Sequence, residues 1–499
     1  MKNTFLSLRI FLGVILTVLL TACQKQESAV PYYQIIPEEA YNVFSVKVNQ
    51  IVEKAGGDQN IVSFLALFQK QLDQDIVRQL EVILKNGREY GLNLEENLYI
   101  FSESLAGRIG VVAKVSEYTK TEKALRDLGF TVETDAKGYR HAVLNQRLVC
   151  YFNESVLLCI TTLKGVSDID SYAAGLMNLS PENSLSRQEG FAKLRSSAED
   201  IAFLTKNQLA GENYMLFSPE INLSKVEILG GIHFEKGLIN AYCSYFTTDR
   251  SVQDQLSEKY KFLRKEKNVL ADLYPASALL YMSTNLNGPK IAENVDKWNI
   301  RNQQQKADLQ KMLSALDGEC ALGYLNISPI GIPSVLLYAE VGNNYPLEYI
   351  IQLVEREFGN FVQVRKTGND RYEINVTMMN MNVYTGIKKG LFYITNDNSV
   401  YKNVGEKVAD PLRNSPYFTR LANSYIGAFM NVESIIESPL IQLSLSQWKH
   451  GAGTLILQLL SECNSIEVCQ ESPEKAVLRI YLQNKEQNSL KTLLEAARK

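Results

Sequence analysis

The chain has 499 residues, with 52 Lys and Arg against 55 Asp and Glu and a formal net charge of −3. That balance argues against nucleic acid as a partner, because such binding needs a basic surface. Hydrophobic residues at 45% and charged residues at 21% fit a folded globular protein, and the length fits about two to four domains of roughly 100–200 residues.

The first element is a leader. Lys2 and Arg9 bring positive charge to an apolar run, Ile10 to Leu20, broken by Gly13 and Thr17. The run is short for a bilayer span and has the length of a signal-peptide core. Leu20-Thr21-Ala22-Cys23 then fits a lipobox. Small residues admit the backbone to a signal peptidase, and the Cys23 thiol is the nucleophile that accepts a diacylglycerol. Cleavage between Ala22 and Cys23 leaves Cys23 as the lipidated first residue. An uncleaved anchor helix, or a lone cysteine behind an ordinary signal, are the other readings. Residues 1–22 are therefore expected as a lipoprotein signal peptide and 23–33 as a lipidated polar tether. Losing Lys2 and Arg9 makes the mature chain more acidic by two charges. Gln24 is not the aspartate that commonly holds lipoproteins at an inner membrane, and Glu27 is the one acid in the tether, so no acidic export run follows. The expected address is the outer membrane of a cell envelope, its periplasmic side ahead of the cell surface.

Phe64, Leu65, Phe68, Leu72, Ile76, Leu80 and Ile83 recur at helical spacing before a glycine, which predicts a long amphipathic helix. The stretch "GYRHAVLNQRLVCYFNESVLLCITT" predicts consecutive strands with turns between them. A two-residue turn at Glu154-Ser155 would set Cys150 opposite Cys159 at a non-hydrogen-bonded position. There Cα atoms lie about 4.5 Å apart, within disulfide range. Glu-Ser is a poor two-residue turn, so a turn shifted by one residue, or two buried thiols, stay open. Cys243, Cys320, Cys463 and Cys469 form no CxxC, which removes zinc-ribbon and thioredoxin readings. Asp168 and Asp170 are expected as helix-capping acids before "SYAAGLM". "KVEILGGIHFEKGLINAYCSYF" predicts a hairpin turning near Glu235-Lys236-Gly237. Strand clusters interleaved with helices predict α+β: antiparallel sheets with helices covering a face.

The chain also repeats itself, in order. "IPEEAYNVFSVKVNQIVEKAG" parallels "YPASALLYMSTNLNGPKIAEN", setting Ser45 on Ser283. "RIGVVAKVSEYTKTEKALRDLGF" parallels "PSVLLYAEVGNNYPLEYIIQLVEREFG". Phe191, Leu194 and Phe203 parallel Phe418, Leu421 and Phe429. Glu235-Lys236 and Tyr242 parallel Glu474-Lys475 and Tyr481. An internal duplication follows, with a first α+β half at 34–267 and a second at 268–499. Chance likeness between apolar strands is the alternative. Two separate halves would be cut by proteases most readily near Lys267, unless they share one continuous sheet.

"IPEEAYNVFSVKVNQIVEKAG" close behind a lipobox, together with "GLNLEENLYIFSE", resembles an uncharacterised family of large bacterial envelope lipoproteins, domain of unknown function 4836. The resemblance covers most of the mature chain. It implies the lipoprotein address and an α+β architecture, and it carries over no catalytic residue.

Chemistry is sparse. His141, His233 and His450 stand in no metal-ligand spacing. The first two are expected as ordinary sheet histidines. His450, near Trp448 and Gly451-Ala452-Gly453, is expected in an ordinary loop, with a ligand loop as the alternative. There is no GxGxxG, GxxxxGK[ST] or GxSxG. No catalytic residue, metal or cofactor is expected. The 26 tyrosines are expected at strand faces. The resulting expectation is a non-enzymatic, lipid-anchored binding or scaffolding protein, held to the membrane by its anchor, with a protein or glycan partner. The runner-up is an envelope hydrolase acting on glycan or peptide, and a third reading is a carbohydrate-binding accessory of an uptake system. Two carboxylates converging in a cleft would favour the hydrolase, an aromatic platform the glycan binder, and an apolar surface patch a protein partner. The crevice between the halves is the first place to look.

Overall fold

The computed structural model describes residues 30–57, 59–60, 89–103, 107–134, 139–144, 148–162, 168–206, 223–298, 300, 302–327, 332–343, 345–415, 418–438, 441–442 and 452–498. The leader, Cys23, the helix expected around 64–83, Trp448 and His450 lie outside the described residues.

The first half contributes β1 (Asn42–Val46), β2 (Leu98–Ser102), β3 (Arg108–Lys114), β4 (Thr131–Thr134), β5 (Arg140–Leu144), β6 (Leu148–Phe152), β7 (Val156–Thr162), β8 (Ile201–Lys206), β9 (Glu227–Glu235) and β10 (Leu238–Phe246). After the short β11 (Leu263–Arg264) come β12 (Leu280–Asn287), β13 (Leu316–Ile327), β14 (Pro333–Val341), β15 (Val362–Gly368), β16 (Arg371–Val376) and β17 (Met381–Lys388). β18 (Leu391–Thr395), β19 (Ile426–Asn431), β20 (Cys463–Gln470) and β21 (Lys475–Leu482) complete the series. All 21 join in one sheet, and every pair is antiparallel.

Pairing gives the lateral order. Before the midline it runs β4-β5-β6-β7-β3-β2-β1-β8-β9-β10. Across the midline β10 pairs with β21, and the order continues β20-β19-β12-β13-β14-β18-β17-β16-β15. β11 adds two residues beside β12, beyond the end of β19.

Helices and loops cover both faces of this sheet, where a single covered face was expected. On one face Tyr99, Phe101, Val112, Leu158 and Ile160 pack with Ile36, Phe191 and Leu194. On the other, Cys150, Phe152 and Leu157 pack with Leu125 and Phe130. The second half repeats the division: Tyr281, Tyr338, Tyr393 and Phe429 meet Phe418 and Leu421, while Tyr372, Ile374 and Phe392 meet Leu347 and Ile351. Fully burying such a side chain contributes about 1.5–3 kcal/mol, so alternate strand residues stabilise two layers at once. Five of the largest fully buried side chains are tyrosines: Tyr99, Tyr274, Tyr281, Tyr338 and Tyr393. These lie in the core and form no ligand platform.

The turn that looked poor has its own support. Asn153 Oδ1 accepts from the backbone of Ser155 at 2.8 Å and of Val156 at 3.0 Å. An asparagine ahead of a turn supplies through its side chain what Glu-Ser lacks in backbone preference. β6 and β7 therefore pair with Cys150 directly opposite Cys159.

The continuous sheet withdraws one expectation. Cleavage near Lys267 has no open linker to attack, because Glu266 N–H donates to Ser424 O at 2.9 Å and β11 is paired to β12.

Candidate functional site

The midline joins the halves in register: Leu238 faces Tyr481, Asn240 faces Arg479 and Tyr242 faces Val477. His233 faces Asn240, and Arg479 faces Glu467. Directly opposed residues share a face, so His233, Asn240, Arg479 and Glu467 form a polar row across the junction. Tyr481 donates its hydroxyl to Glu467 at 3.2 Å, and Arg479 reaches Glu471 at 2.8 Å.

At the first-half end of this row sits Asp200, whose side chain is fully buried. Its Oδ2 accepts from Lys54 Nζ at 2.7 Å and from the Phe234 backbone N–H at 2.7 Å. His233 Nδ1 lies 3.3 Å from the same oxygen, and its Nε2 lies 3.4 Å from Lys54 Nζ. Glu199 stands 3.8 Å from His233 Nδ1. Lys47 is nearby: burial holds its ammonium below the ordinary lysine value, opposed by the charges of Asp200 and Glu199. The cluster exists because helix Val48–Lys54 leaves β1 directly, crosses the strand ends, and returns Lys54 over the start of β8.

Lys54 also lines a cleft of about 540 Å³ between the halves. Glu53 and Gly56 share its first-half wall; Asn484, Glu486, Gln487, Asn488 and Lys491 form the other. Asn488 caps helix Ser489–Ala496 by accepting from Leu490 N–H at 3.0 Å, and it donates to Phe234 O at 3.1 Å. Gly56 suits this wall because its φ is +78°, a backbone conformation that favours glycine. Two lysines, two carboxylates and three side-chain amides make a surface for a polar ligand. Glu53 and Glu486 are both exposed. Among the described residues, no group of three or more His, Cys, Asp and Glu could hold a metal ion.

A second feature is apolar. Phe358, Phe361, Met378 and Met379 are exposed, Met378 by 78%. Phe361 N–H donates to Phe358 O at 2.7 Å, and Thr377 donates through both its N–H and its hydroxyl to Phe361 O at 3.0 Å. These bonds hold the two loops together at the β15 end of the sheet.

The sequence candidates fall as follows. Cys150 and Cys159 bring their Sγ atoms to 2.7 Å, and burial pushes the Cys150 thiol up. His233 is a sheet residue, as expected, but within an ion cluster. His141 stacks on Tyr151 at 4.8 Å between centroids and lies 2.6 Å from Asp170. Asp168 is not the side-chain cap expected, since it precedes the helix at φ 100° with no capping bond. Asp170 accepts from Tyr151 at 3.2 Å. Asp200, Lys54 and the apolar patch escaped the sequence. The one local signal for Asp200 is an acid placed directly before the apolar run of β8.

Among the described residues no helix is long and apolar enough to cross a membrane. The profile of a family described as a domain of unknown function (DUF4836) matches residues 32–490. No curated protein matches the chain. Three crystal forms of TP0453 are similar to part of it. Form III is 11% identical at a TM-score of 0.28, covering 48% of this chain and 90% of that one. Form IV is 12% identical at 0.28, covering 44% and 81%, and form I is 13% identical at 0.28, covering 48% and 89%.

Proposed function

The chain belongs to the family of that domain of unknown function, and from that premise we propose that it is a lipid-anchored protein of the outer membrane that binds or scaffolds a protein partner. The observation that carries the partner reading is the exposed cluster of Phe358, Phe361, Met378 and Met379. Contiguous exposed apolar side chains mark interaction sites, and methionine adapts to a partner's shape. The lipobox at Leu20–Cys23 supports the address, and the periplasmic side remains the preferred face.

The body is a duplication of 34–267 and 268–499. Two observations support this. The lateral strand order is the same on both sides of the midline. The buried Val43 and Ser45 also take the places of the buried Tyr281 and Ser283.

A photo-crosslinking residue at Met378, in cells, tests the partner reading, with exposed Lys290 as control. The expected result is one discrete protein adduct from Met378 alone, reduced at least about tenfold by combined Phe358→Ser and Phe361→Ser. Exposed positions such as these change stability by about 0.5 kcal/mol or less, so the fold persists. Equal adducts from both positions, or none, reject the reading.

We also propose that Cys150 and Cys159 form a disulfide in the envelope. The two thiols pass two electrons and two protons to an oxidoreductase disulfide, which leaves as two thiols. Closing so short a loop contributes about 2–3 kcal/mol. The expected result is protection of both cysteines from alkylation until reduction, and a reductant-sensitive melting point in the wild type that Cys159→Ala abolishes. Alkylation of both before reduction rules the bond out.

A further inference from the structure

At the start of the second half two buried amide oxygens, Asn268 Oδ1 and Asn285 Oδ1, have no hydrogen-bond donor among the described residues. Beside them stands Glu266, whose carboxylate meets the Ser283 and Ser424 hydroxyls and the Gly427 N–H. Glu266, Asn268 and Asn285 are 4%, 8% and 1% exposed. Buried polar atoms almost always have partners, and two unpaired oxygens beside a buried carboxylate call for a common one.

The fold gathers them. Asn285 Nδ2 donates to Lys265 O at 3.0 Å, which fixes the amide so that Oδ1 points away from that bond. Ser283 Oγ donates to Glu266 Oε2 at 2.6 Å. Ser283 and Asn285 are two apart on β12 and share a face. Glu319 lies directly opposite Asn285. Its carboxylate accepts from the backbone N–H of Asn268, from that of Val269 at 2.7 Å and from that of Leu270 at 3.3 Å. Glu266, Asn268, Asn285 and Glu319 are thus neighbours about the end of β12. Burial pushes Glu266 up to about 7, against the Ser283 hydrogen bond and with help from the Glu319 charge.

The near guanidinium is already engaged. Arg413 donates to Asn268 O and to Asp272, each at 2.6 Å. The first half handles the matching place differently. With Ser45 set on Ser283, Lys47 stands where Asn285 stands, and its ammonium lies in the field of Asp200 and Glu199. This comparison, and only this, rests on the duplication. One half brings a cation on its own side chain; the other presents oxygens alone.

We propose that Glu266, Asn268 and Asn285, backed by Glu319, bind a hard, oxygen-liganded cation of the calcium class. Carboxylate and amide oxygens are the ligands such ions take. No histidine or thiol is needed, which is why ligand-spacing motifs in the sequence are silent about it.

The test is thermal unfolding of the full chain, stripped with chelator, at pH 7.5 and constant ionic strength, with calcium, magnesium or sodium added in turn. Calcium at a hundredfold excess over its Kd should raise the midpoint by about 3 °C for a chain of this length. Glu266→Gln should abolish the response. Asn268→Asp, which keeps the side-chain oxygen and adds a charge, should shift it to lower calcium concentration. A response to magnesium or sodium instead supports the site and reassigns its ion. No response to any of the three overturns the proposal. So does a Glu266→Gln variant that matches or exceeds wild-type stability while the wild type ignores all three ions, since a proton on Glu266 then suffices. If Glu266→Gln fails to fold, Asn268→Asp decides: an unchanged or weaker calcium response overturns the proposal.

Discussion

Asp200→Ala is expected to destabilise the fold by about 3 kcal/mol, read as a lower denaturant midpoint at unchanged slope. The carboxylate is fully buried and accepts from Lys54 Nζ and the Phe234 amide, each at 2.7 Å. Removing it leaves an ammonium without its counter-charge and a buried N–H without an acceptor. The value sits at the lower end for a broken buried pair because the Lys54 side chain is 21% exposed and can turn to water. Asp200→Asn keeps an acceptor for Phe234 and loses only the charge, so it should cost about half as much. The damage should also be local in a readable way. Lys54 is the latch between helix Val48–Lys54 and the sheet, so the cleft wall it shares with Glu53 and Gly56 should exchange amide hydrogens faster in the alanine variant. Equal stability of the alanine variant and the wild type would show that the cluster holds nothing.

Cys23→Ala should abolish palmitate labelling and move the protein from the membrane pellet to the soluble fraction. The effect is all-or-none because the anchor is additive in chain length. Each buried methylene contributes about 0.8 kcal/mol, and stable attachment takes more than one acyl chain. Without the Cys23 thiol there is no nucleophile to carry any of them. Persistent labelling of the variant would reject the lipobox at Leu20–Cys23.

Local patterns were legible and long-range ones were not. The strand series through Cys150 and Cys159 could be read because turn and alternation lie within a few residues, and Asn153 secures the one doubtful turn. On the proposed duplication, the Ser45–Ser283 match rests on both strands burying the same alternate positions. On that same proposal the third match, as read from the sequence, stands one residue out of strand register. Ser45 faces Ala202 and Ser283 faces Gly427, so Leu204, not Phe203, takes the place of Phe429. Leu204 and Phe429 are buried, while Phe203 packs on Phe44 at the opposite face. Strand period two makes a slip of one residue a change of face, and sequence likeness between aromatic residues hides it. The Lys54–Asp200 pair joins residues 146 apart, and no local signal announces it. The midline pairing of β10 with β21 was illegible for the same reason. Each hairpin read as complete, and nothing in either one names its neighbour.

That midline has a consequence for how the protein is made. β10 is finished about halfway along the chain, but its outer edge has no partner until Lys475–Leu482 are made. Until then the first half presents a row of open amides and carbonyls, the surface on which strands from other molecules nucleate. Acylation at Cys23 would hold many such chains in one plane and raise their mutual concentration. In that crowd, β21 of one newly arrived chain and β10 of its neighbour are as well matched as the pair within a single chain. Interlocked dimers would follow wherever such a neighbour pairs first.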